Sequence, residues 1–192
     1  EIIRQHYQAA IRQFALSVPF VERVFQLGTE GGFNGQITAN SFMKREFGKA
    51  LIEEVLPNLD LTEIVDTSGA YIPGHVTPTV ILFGRNQRPI ASEIRTAMGI
   101  KGEPSTPDDP AQGLVWTAIV NQLDLPGSQS EFISVDDTAR ASFHSHPWSI
   151  GGGGAAELKE QLDAVAEAAL GDFVDQIGIA SVTGSDELYV LP

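Results

Sequence analysis

The sequence contains no cysteine. This excludes a disulfide framework and thiolate metal sites, and it fits the reducing conditions of the cytoplasm. No apolar run approaches the roughly 20 residues that a membrane-spanning helix needs, and no charged-then-apolar leader opens the chain. We therefore expect a cytoplasmic protein with no membrane segment.

Basic residues are scarce in the second half of the chain. Of 12 Lys and Arg residues, only Arg140 and Lys159 follow residue 102, whereas 15 of the 25 acidic residues do. The net charge of −13 argues against nucleic-acid binding by the whole surface, but residues 1–102 carry balanced charge. We therefore expect any contact with DNA to involve the first half. An alternative explanation for the acidic surface of the second half is that it only keeps the chain soluble.

Recognisable catalytic and cofactor motifs are also lacking. There is no G-x-S-x-G nucleophile motif. The glycines at 31–35 precede a predicted strand, whereas a cofactor loop follows one; those at 151–154 follow no supporting strand and suggest a linker. His144 and His146 have no third ligand nearby, so we predict no metal site.

The first half alternates helices and strands. Apolar spacing predicts a helix from Ser17 to near Gly28 and another at about 44–55, with strands at 35–39, 61–66 and 79–84. Such alternation is typical of a layered α/β fold with a parallel sheet. The last strand is nearly all apolar, which predicts burial on both faces.

No crossover helix fits between the last two of these strands. They must therefore run antiparallel, as a hairpin with a long tip at about 67–77. Three prolines at 102–110 indicate a boundary. Beyond it we predict a helix at 111–121, a weak strand at 132–135, a helix at 155–170, and short strands at 177–184 and 187–191.

Three segments carry candidate binding residues. Asn40, Ser41 and Phe42 follow a strand, where ligands bind in open α/β sheets; the alternative is a helix cap with a core Phe. The tip, with Tyr71 and His75, would form a ligand wall, or only a connecting loop. A third candidate is a set of basic residues that could contact phosphates or form a solvated helix face: Lys44, Arg45 and Lys49.

These segments together resemble a known family. Residues 38–49 (TANSFMKREFGK), followed by 64–66 and 77–82, resemble the region downstream of the catalytic motif in amino-group DNA methyltransferases of the restriction–modification type. The strings at 66–75, 102–116 and 147–150 are similar to adenine-specific DNA methyltransferases of phage-growth-limitation (BREX) defence systems. The resemblance covers nearly the whole chain.

The resemblance implies an enzyme that flips an adenine out of duplex DNA and methylates its exocyclic amine from S-adenosylmethionine. In this family the catalytic tetrapeptide is Asn/Asp/Ser-Pro-Pro-aromatic, and a Gly-rich turn binds the cofactor. Neither motif is present, since Ser17-Val18-Pro19-Phe20 has one proline and no preceding strand. We therefore expect both motifs upstream of residue 1, and an isolated chain without activity.

The same resemblance implies a fold class and a domain plan. The class is α/β: the C-terminal half of a Rossmann-like methyltransferase sheet ending in an antiparallel hairpin, then a mixed α/β extension. Residues 1–101 would complete the catalytic domain, 102–154 form a linker or extension, and 155–192 begin a target-recognition region.

Site residues and partners follow from the family as well. Asn40, Ser41 and Phe42 match the segment that borders the target-base pocket. The loop with Tyr71, Ile72 and Pro73, beside His75, matches the one that stacks an aromatic on the flipped base, with either Tyr71 or Ile72 at that place. The expected partners are double-stranded DNA and other defence proteins. Two rivals remain: a non-catalytic interaction domain of a defence complex, and an RNA or protein methyltransferase on the same scaffold.

Overall fold

The computed structural model describes residues 2–148, 150–168 and 172–174. The chain forms two compact units, Glu1–Ala156 and Glu157–Pro192. The strands predicted at 177–184 and 187–191, and with them most of the expected target-recognition segment, lie outside the described residues. Within the described part of the chain, no helix is long and apolar enough to cross a bilayer.

The first unit is built on a six-stranded mixed sheet. Its strands stand in the order β1-β3-β2-β4-β6-β5. Strands β2 and β4 run parallel, and every other neighbouring pair is antiparallel. The α/β class is confirmed, but the sheet is mixed where a parallel one was expected. The strands are β1 (Phe33–Ala39), β2 (Asp60–Asp66), β3 (Thr79–Arg85), β4 (Glu93–Gly99), β5 (Ser128–Gln129) and β6 (Ile133–Ala139).

The predicted hairpin is present. β2 and β3 pair antiparallel, with Asp66 opposite Val80 at the tip end. β1 pairs antiparallel on the other side of β3, with Ala39 opposite Thr79. Strand β3 is therefore flanked on both sides by strands that run against it.

The described residues form four α-helices. The helix predicted from Ser17 is confirmed as α2, with Val18, Val21 and Phe25 buried. Ser17 does not cap it, because Leu16 takes the cap position and makes no side-chain hydrogen bond. The helices are α1 (Ile2–His6), α2 (Ser17–Leu27), α3 (Leu114–Gln122) and α4 (Ala155–Val165).

The prediction of a second helix at 44–55 is wrong. The segment after β1 is a chain of short irregular turns, with a π-helical turn at Leu51–Val55. A cause lies at Gly48, where a Cβ would fall 1.8 Å from the Phe42 carbonyl oxygen. The chain folds back on itself too tightly there for a continuous helix. The 3₁₀ turns are Asn40–Met43, Glu46–Gly48 and Leu56–Asn58.

Each face of the sheet has its own core. Side chains alternate along β3, so Val80 and Leu82 join the core under α2 while Ile81 and Phe83 join the core under α3. We predicted that β3 is buried on both faces. The face of Ile81 and Phe83 differs from this prediction, because both side chains are only half-buried. On the same face, Ile37 of β1 is 55% exposed.

Strand β4 was not predicted, and it changes the domain plan. It pairs with β6 in continuous register, from Glu93 opposite Ala139 to Gly99 opposite Ile133. The segment 102–154 therefore continues the sheet of residues 1–101. The prolines at 102–110 mark a surface loop between two strands of one sheet, and the sheet is not divided there.

Candidate functional site

The turn after β1 and the hairpin tip meet at one rim of the sheet. Ala39 ends β1 opposite Thr79, and Asp66 ends β2 opposite Val80. The backbone N–H of Asn40 donates to the Pro78 carbonyl at 3.0 Å. The turn after β1 and the base of the hairpin tip therefore lie side by side at this rim.

Local hydrogen bonds close the base of the tip. The Thr67 and Thr79 hydroxyls are 2.7 Å apart, and the Asp66 carboxylate accepts from the Ser68 N–H at 2.9 Å. Farther out, the His75 N–H donates to the Ile72 carbonyl at 3.1 Å. The sequence therefore builds a tip with a defined shape.

A first cavity, the strand-end cavity, lies between the tip and β1. Its volume is about 420 Å³. The tip contributes Ile72, His75 and Thr77, and β1 contributes Thr38 and Ala39. The predicted residues Ile72 and His75 thus face the end of β1.

A second cavity, the tip cavity, adjoins the first and shares Ile37 and Ile72 with it. Its volume is about 270 Å³, and apolar side chains predominate in its walls. Tyr71 and Pro73 line it from the tip, and Trp116 lines it from α3. Its character suits a flat apolar ring.

The predicted residues at the end of β1 do not line either cavity. Phe42 is 1% exposed, and its ring meets that of Trp148 edge-on at 5.8 Å. The expectation that Phe42 borders a ligand is therefore wrong, because the 3₁₀ turn directs it into the core. Asn40 and Ser41 are half-buried, and both take part in backbone hydrogen bonds.

Two of the three basic residues predicted to contact phosphates line the same groove. Lys44 and Arg45, both exposed, line a cationic groove of about 750 Å³ together with Arg12. Arg12 also forms an ion pair with Glu46 at 3.6 Å. Lys49 does not line the groove; it faces Glu53 at 4.0 Å.

Sequence reasoning missed Arg12 and the α3 side of the tip cavity. Pro110, Ala111 and Trp116 lie in the stretch that was interpreted as a boundary and a linker. One signal was available: six of the seven residues in Leu114–Val120 are apolar, more than a single buried helix face requires.

Below the rim, a row of charges crosses the α3 face of the sheet. Arg95 Nε lies 2.6 Å from Asp137 Oδ1, and this hydrogen bond raises the pKa of Arg95 and lowers the pKa of Asp137. Beside them, burial raises the pKa of Glu63, the nearby Asp124 raises it further, and Arg95 opposes both. In this row of charges, the surroundings of Glu63 thus disfavour its ionised form.

Replacing Glu63 by glutamine should change how stability depends on pH. A raised carboxyl pKa means that the folded state holds the proton more tightly than the unfolded chain, so ionised Glu63 lowers stability as pH rises above 4.5. The thermal midpoint of Glu63→Gln minus that of the wild type should therefore increase from acid to neutral pH. The exposed Glu93→Gln on the neighbouring strand is the control, and a difference independent of pH would refute this assignment.

Comparison with known proteins fits the resemblance. Residues 1–72 match the family Eco57I restriction-modification methylase. The chain is 47% identical over 197 residues to the adenine-specific methyltransferase PglX of Streptomyces coelicolor. That alignment covers 97% of this chain and 16% of PglX, so the chain spans about one sixth of that relative's length.

A solved structure shares the fold. The type IIG restriction endonuclease BpuSI superposes with a TM-score of 0.53 at 14% sequence identity, over 97% of this chain and 24% of its own. At that identity the likeness concerns the fold alone.

Over residues 1–72 the chain is thus similar to restriction–modification methylases. More particularly, it is similar over nearly its whole length to a part of the adenine-specific methyltransferase PglX, as the resemblance implied.

Proposed function

We propose that the native protein is an S-adenosylmethionine-dependent DNA methyltransferase that modifies adenine in double-stranded DNA and serves in phage defence. In this proposal the described sheet is the C-terminal half of a Rossmann-like catalytic domain. The rim formed by the turn after β1 and the tip is one wall of the pocket for a flipped adenine. The carrying observation is that the end of β1 and the tip together line two adjoining cavities.

Size and chemistry support a base at this rim. A base must leave the duplex stack before its exocyclic amine can react. An apolar cavity of about 270 Å³ with Tyr71 and Trp116 in its walls offers an extruded ring the stacking surface that it loses in the duplex. His75 lines the adjoining strand-end cavity and adds an imidazole, a polar group, beside the apolar walls.

The cationic groove suits the DNA backbone. Lys44 and Arg45 come directly after the turn Asn40–Met43, so this one turn separates them along the chain from the β1 residues that line the strand-end cavity. Side chains that neutralise phosphates position DNA without selecting its sequence. We assign Lys44, Arg45 and Arg12 to that role, and Lys49 to a supporting one beside Glu53.

The described residues do not fit the cofactor S-adenosylmethionine. A cofactor loop follows a strand and opens a helix, whereas Gly31 and Gly32 lead into β1. The turn after β1 is packed so tightly at Gly48 that a Cβ would not fit. We therefore derive no methyl-transfer step from these residues and assign them to holding DNA and base.

The test is methylation-sensitive sequencing of host DNA with and without the gene for the native protein. We expect adenine methylation at a fixed sequence that disappears when the gene is deleted. Unchanged DNA methylation after deletion would reject the proposal; methylation found instead in RNA or protein would favour a rival on the same scaffold.

Variants of the tip decide which residue faces the base. Tyr71→Ala should lower methylation through a loss of about 1–3 kcal/mol of stacking, while Tyr71→Phe should retain the ring and most activity. Initial rates on a short duplex measure both. If Ile72→Ala lowers the rate and Tyr71→Ala does not, Ile72 holds the base. Val76→Ala, a 98% exposed tip residue outside both cavities, is the control.

A further inference from the structure

The loop between α1 and α2, residues 7–16, carries one of the basic residues of the cationic groove, Arg12. The backbone of Arg12 has a φ of +49°, in the left-handed region that residues other than glycine rarely adopt. Such a conformation persists where the surrounding structure fixes it. The loop that presents Arg12 to the groove is therefore held by contacts from other elements.

A buried carboxylate on α2 provides one of these contacts. Glu22 is 7% exposed. One of its oxygens accepts from the Ala9 N–H at 2.8 Å, and the other accepts from the Gln8 N–H at 3.2 Å and from the Gln26 side-chain amide at 3.0 Å. A buried charge is costly unless hydrogen bonds satisfy it. Glu22 therefore binds the backbone of the loop firmly, a few residues before Arg12.

Helix α1 holds the loop from the other side. The Arg4 guanidinium donates a hydrogen bond to the Arg12 carbonyl, and it lies over the Phe14 ring at 5.8 Å from the ring centroid. Ala9, whose N–H is bound by Glu22, is fully buried. The backbone of the loop is thus fixed at both ends of the segment that contains Arg12, while the Arg12 side chain stays exposed.

The partner of the Arg12 side chain is easily exchanged. Arg12 Nη1 lies 3.6 Å from Glu46 Oε1, and these side chains are 75% and 64% exposed. Ion pairs with so much exposure contribute little to stability. A guanidinium binds a phosphate through two parallel hydrogen bonds, so a phosphate that enters the groove can replace the Glu46 carboxylate.

We propose that Glu22 is a positioning residue for DNA binding, because its hydrogen bonds to Gln8 and Ala9 hold Arg12 where it contacts a backbone phosphate. This inference rests on the proposed function for its ligand, duplex DNA. It predicts an effect of unusual sign. Removing a negative charge from a protein ordinarily favours binding of an anion, whereas removing the Glu22 carboxylate should weaken it.

The experiment measures binding of the native protein to a short duplex of arbitrary sequence, by fluorescence anisotropy at several salt concentrations. Each phosphate contact contributes about 0.9 to the slope of log affinity against log salt concentration. We expect Arg12→Ala to make this slope shallower by about 0.9, so that its deficit in affinity shrinks about 3.5-fold between about 50 and 200 mM salt. Glu22→Ala should produce most of the same change. The double variant should equal Arg12→Ala, because both substitutions remove one contact.

Matched variants separate positioning from loss of stability. Val21→Ala opens a cavity beneath α2, at a residue 1% exposed, and leaves the carboxylate in place. It should lower the thermal midpoint and keep the wild-type slope. Glu30→Ala, an exposed acid between α2 and β1, should bind DNA at least as tightly as wild type. Glu22→Gln keeps an acceptor oxygen but turns an amide towards one N–H, so its slope should lie between those of Glu22→Ala and wild type.

A wild-type slope for Glu22→Ala or for Arg12→Ala would overturn the inference. So would a double variant with a shallower slope than Arg12→Ala, because Glu22 would then act by another route, or a Val21→Ala protein that loses as much slope as Glu22→Ala. If Glu22→Ala does not fold, Glu22→Gln takes its place, and its smaller effect must vanish in the Arg12→Ala background.

Adenine methylation of host DNA is scored separately, with and without the gene for the native protein. If deletion leaves methylation unchanged while duplex binding still depends on Arg12 and Glu22, the proposed function fails and this inference stands. If deletion abolishes methylation and Glu22→Ala binds DNA with the wild-type slope, this inference alone is rejected.

Discussion

Replacing Arg140 by alanine should destabilise the sheet by about 3–5 kcal/mol, the usual cost of removing one partner from a buried ion pair. Arg140 follows β6, and its side chain is 9% exposed beside Asp60 at the start of β2, with an Nη2–Oδ1 distance of 3.2 Å. The guanidinium also donates to the carbonyls of Leu61, at 2.9 Å, and Ala91, at 2.8 Å. One cation therefore ties β2, β6 and the segment before β4 together.

The loss should appear as faster hydrogen exchange of the β2 and β4 amides in the native protein, by roughly two to four orders of magnitude. Lys101→Ala is the matched control, because its ion pair with Glu131 is exposed and such pairs contribute about 1 kcal/mol or less. The double variant Arg140→Ala, Asp60→Asn should regain part of the protection, since the unpaired carboxylate is removed. A single Arg140 variant that exchanges like the Lys101 control would contradict this account.

Trp148→Ala should cost a similar amount, about 3–5 kcal/mol, by opening a cavity in the core under α2. The Trp148 ring meets Phe42 and Phe143 edge-on, at 5.8 and 5.2 Å. Its backbone N–H donates to the Met43 carbonyl at 2.8 Å, and this bond survives the substitution. The side chain is thus the main packing partner of the turn that follows β1.

Exchange rates of the amides in Asn40–Met43 and β6 would measure this effect. Trp148→Phe should lose less, because it keeps ring contacts and gives up only the indole hydrogen bond to Phe143. Trp116→Ala is the informative comparison: it should lower base binding with a smaller loss of protection. Should Trp116→Ala prove the more destabilising of the two, the assignment of one tryptophan to the core and the other to the site would be reversed.

Local patterns predicted the part of the fold that depends on local sequence. Helix α2 has a clear apolar face, and β3 is a run of β-branched and aromatic residues between turns. The hairpin followed from chain length alone, because no crossover fits between β2 and β3. Each of these inferences needs only neighbouring residues.

The parts that failed depend on contacts distant in sequence. Strand β4 alternates charged and apolar residues, and its main partner, β6, lies about 40 residues farther along. The prolines near residue 104 suggested a linker, whereas a hydrogen bond from the Glu103 N–H to the Gly69 carbonyl holds that loop to the tip. The helix expected at 44–55 was broken by the close packing of Gly48 on Phe42, which no local propensity reveals.

The cavities at the rim contain only part of the predicted set of site residues. Tyr71, Ile72, Pro73 and His75 line the cavities at the tip. Phe42 does not, because a 3₁₀ turn rotates it inward. Trp116 was missed because it reaches the cavity from a helix more than forty residues beyond the tip.

The central place of β3 limits which changes in chain length the protein tolerates. Inserting or deleting one residue within Thr79–Arg85 would exchange the two faces of the strand. Val80 and Leu82 would leave one core while Ile81 left the other, and the pairing to both β1 and β2 would shift at once. The exposed stretch 73–78 carries no such packing constraint, so a change in its length would alter the rim but leave both cores and the register of β3 intact.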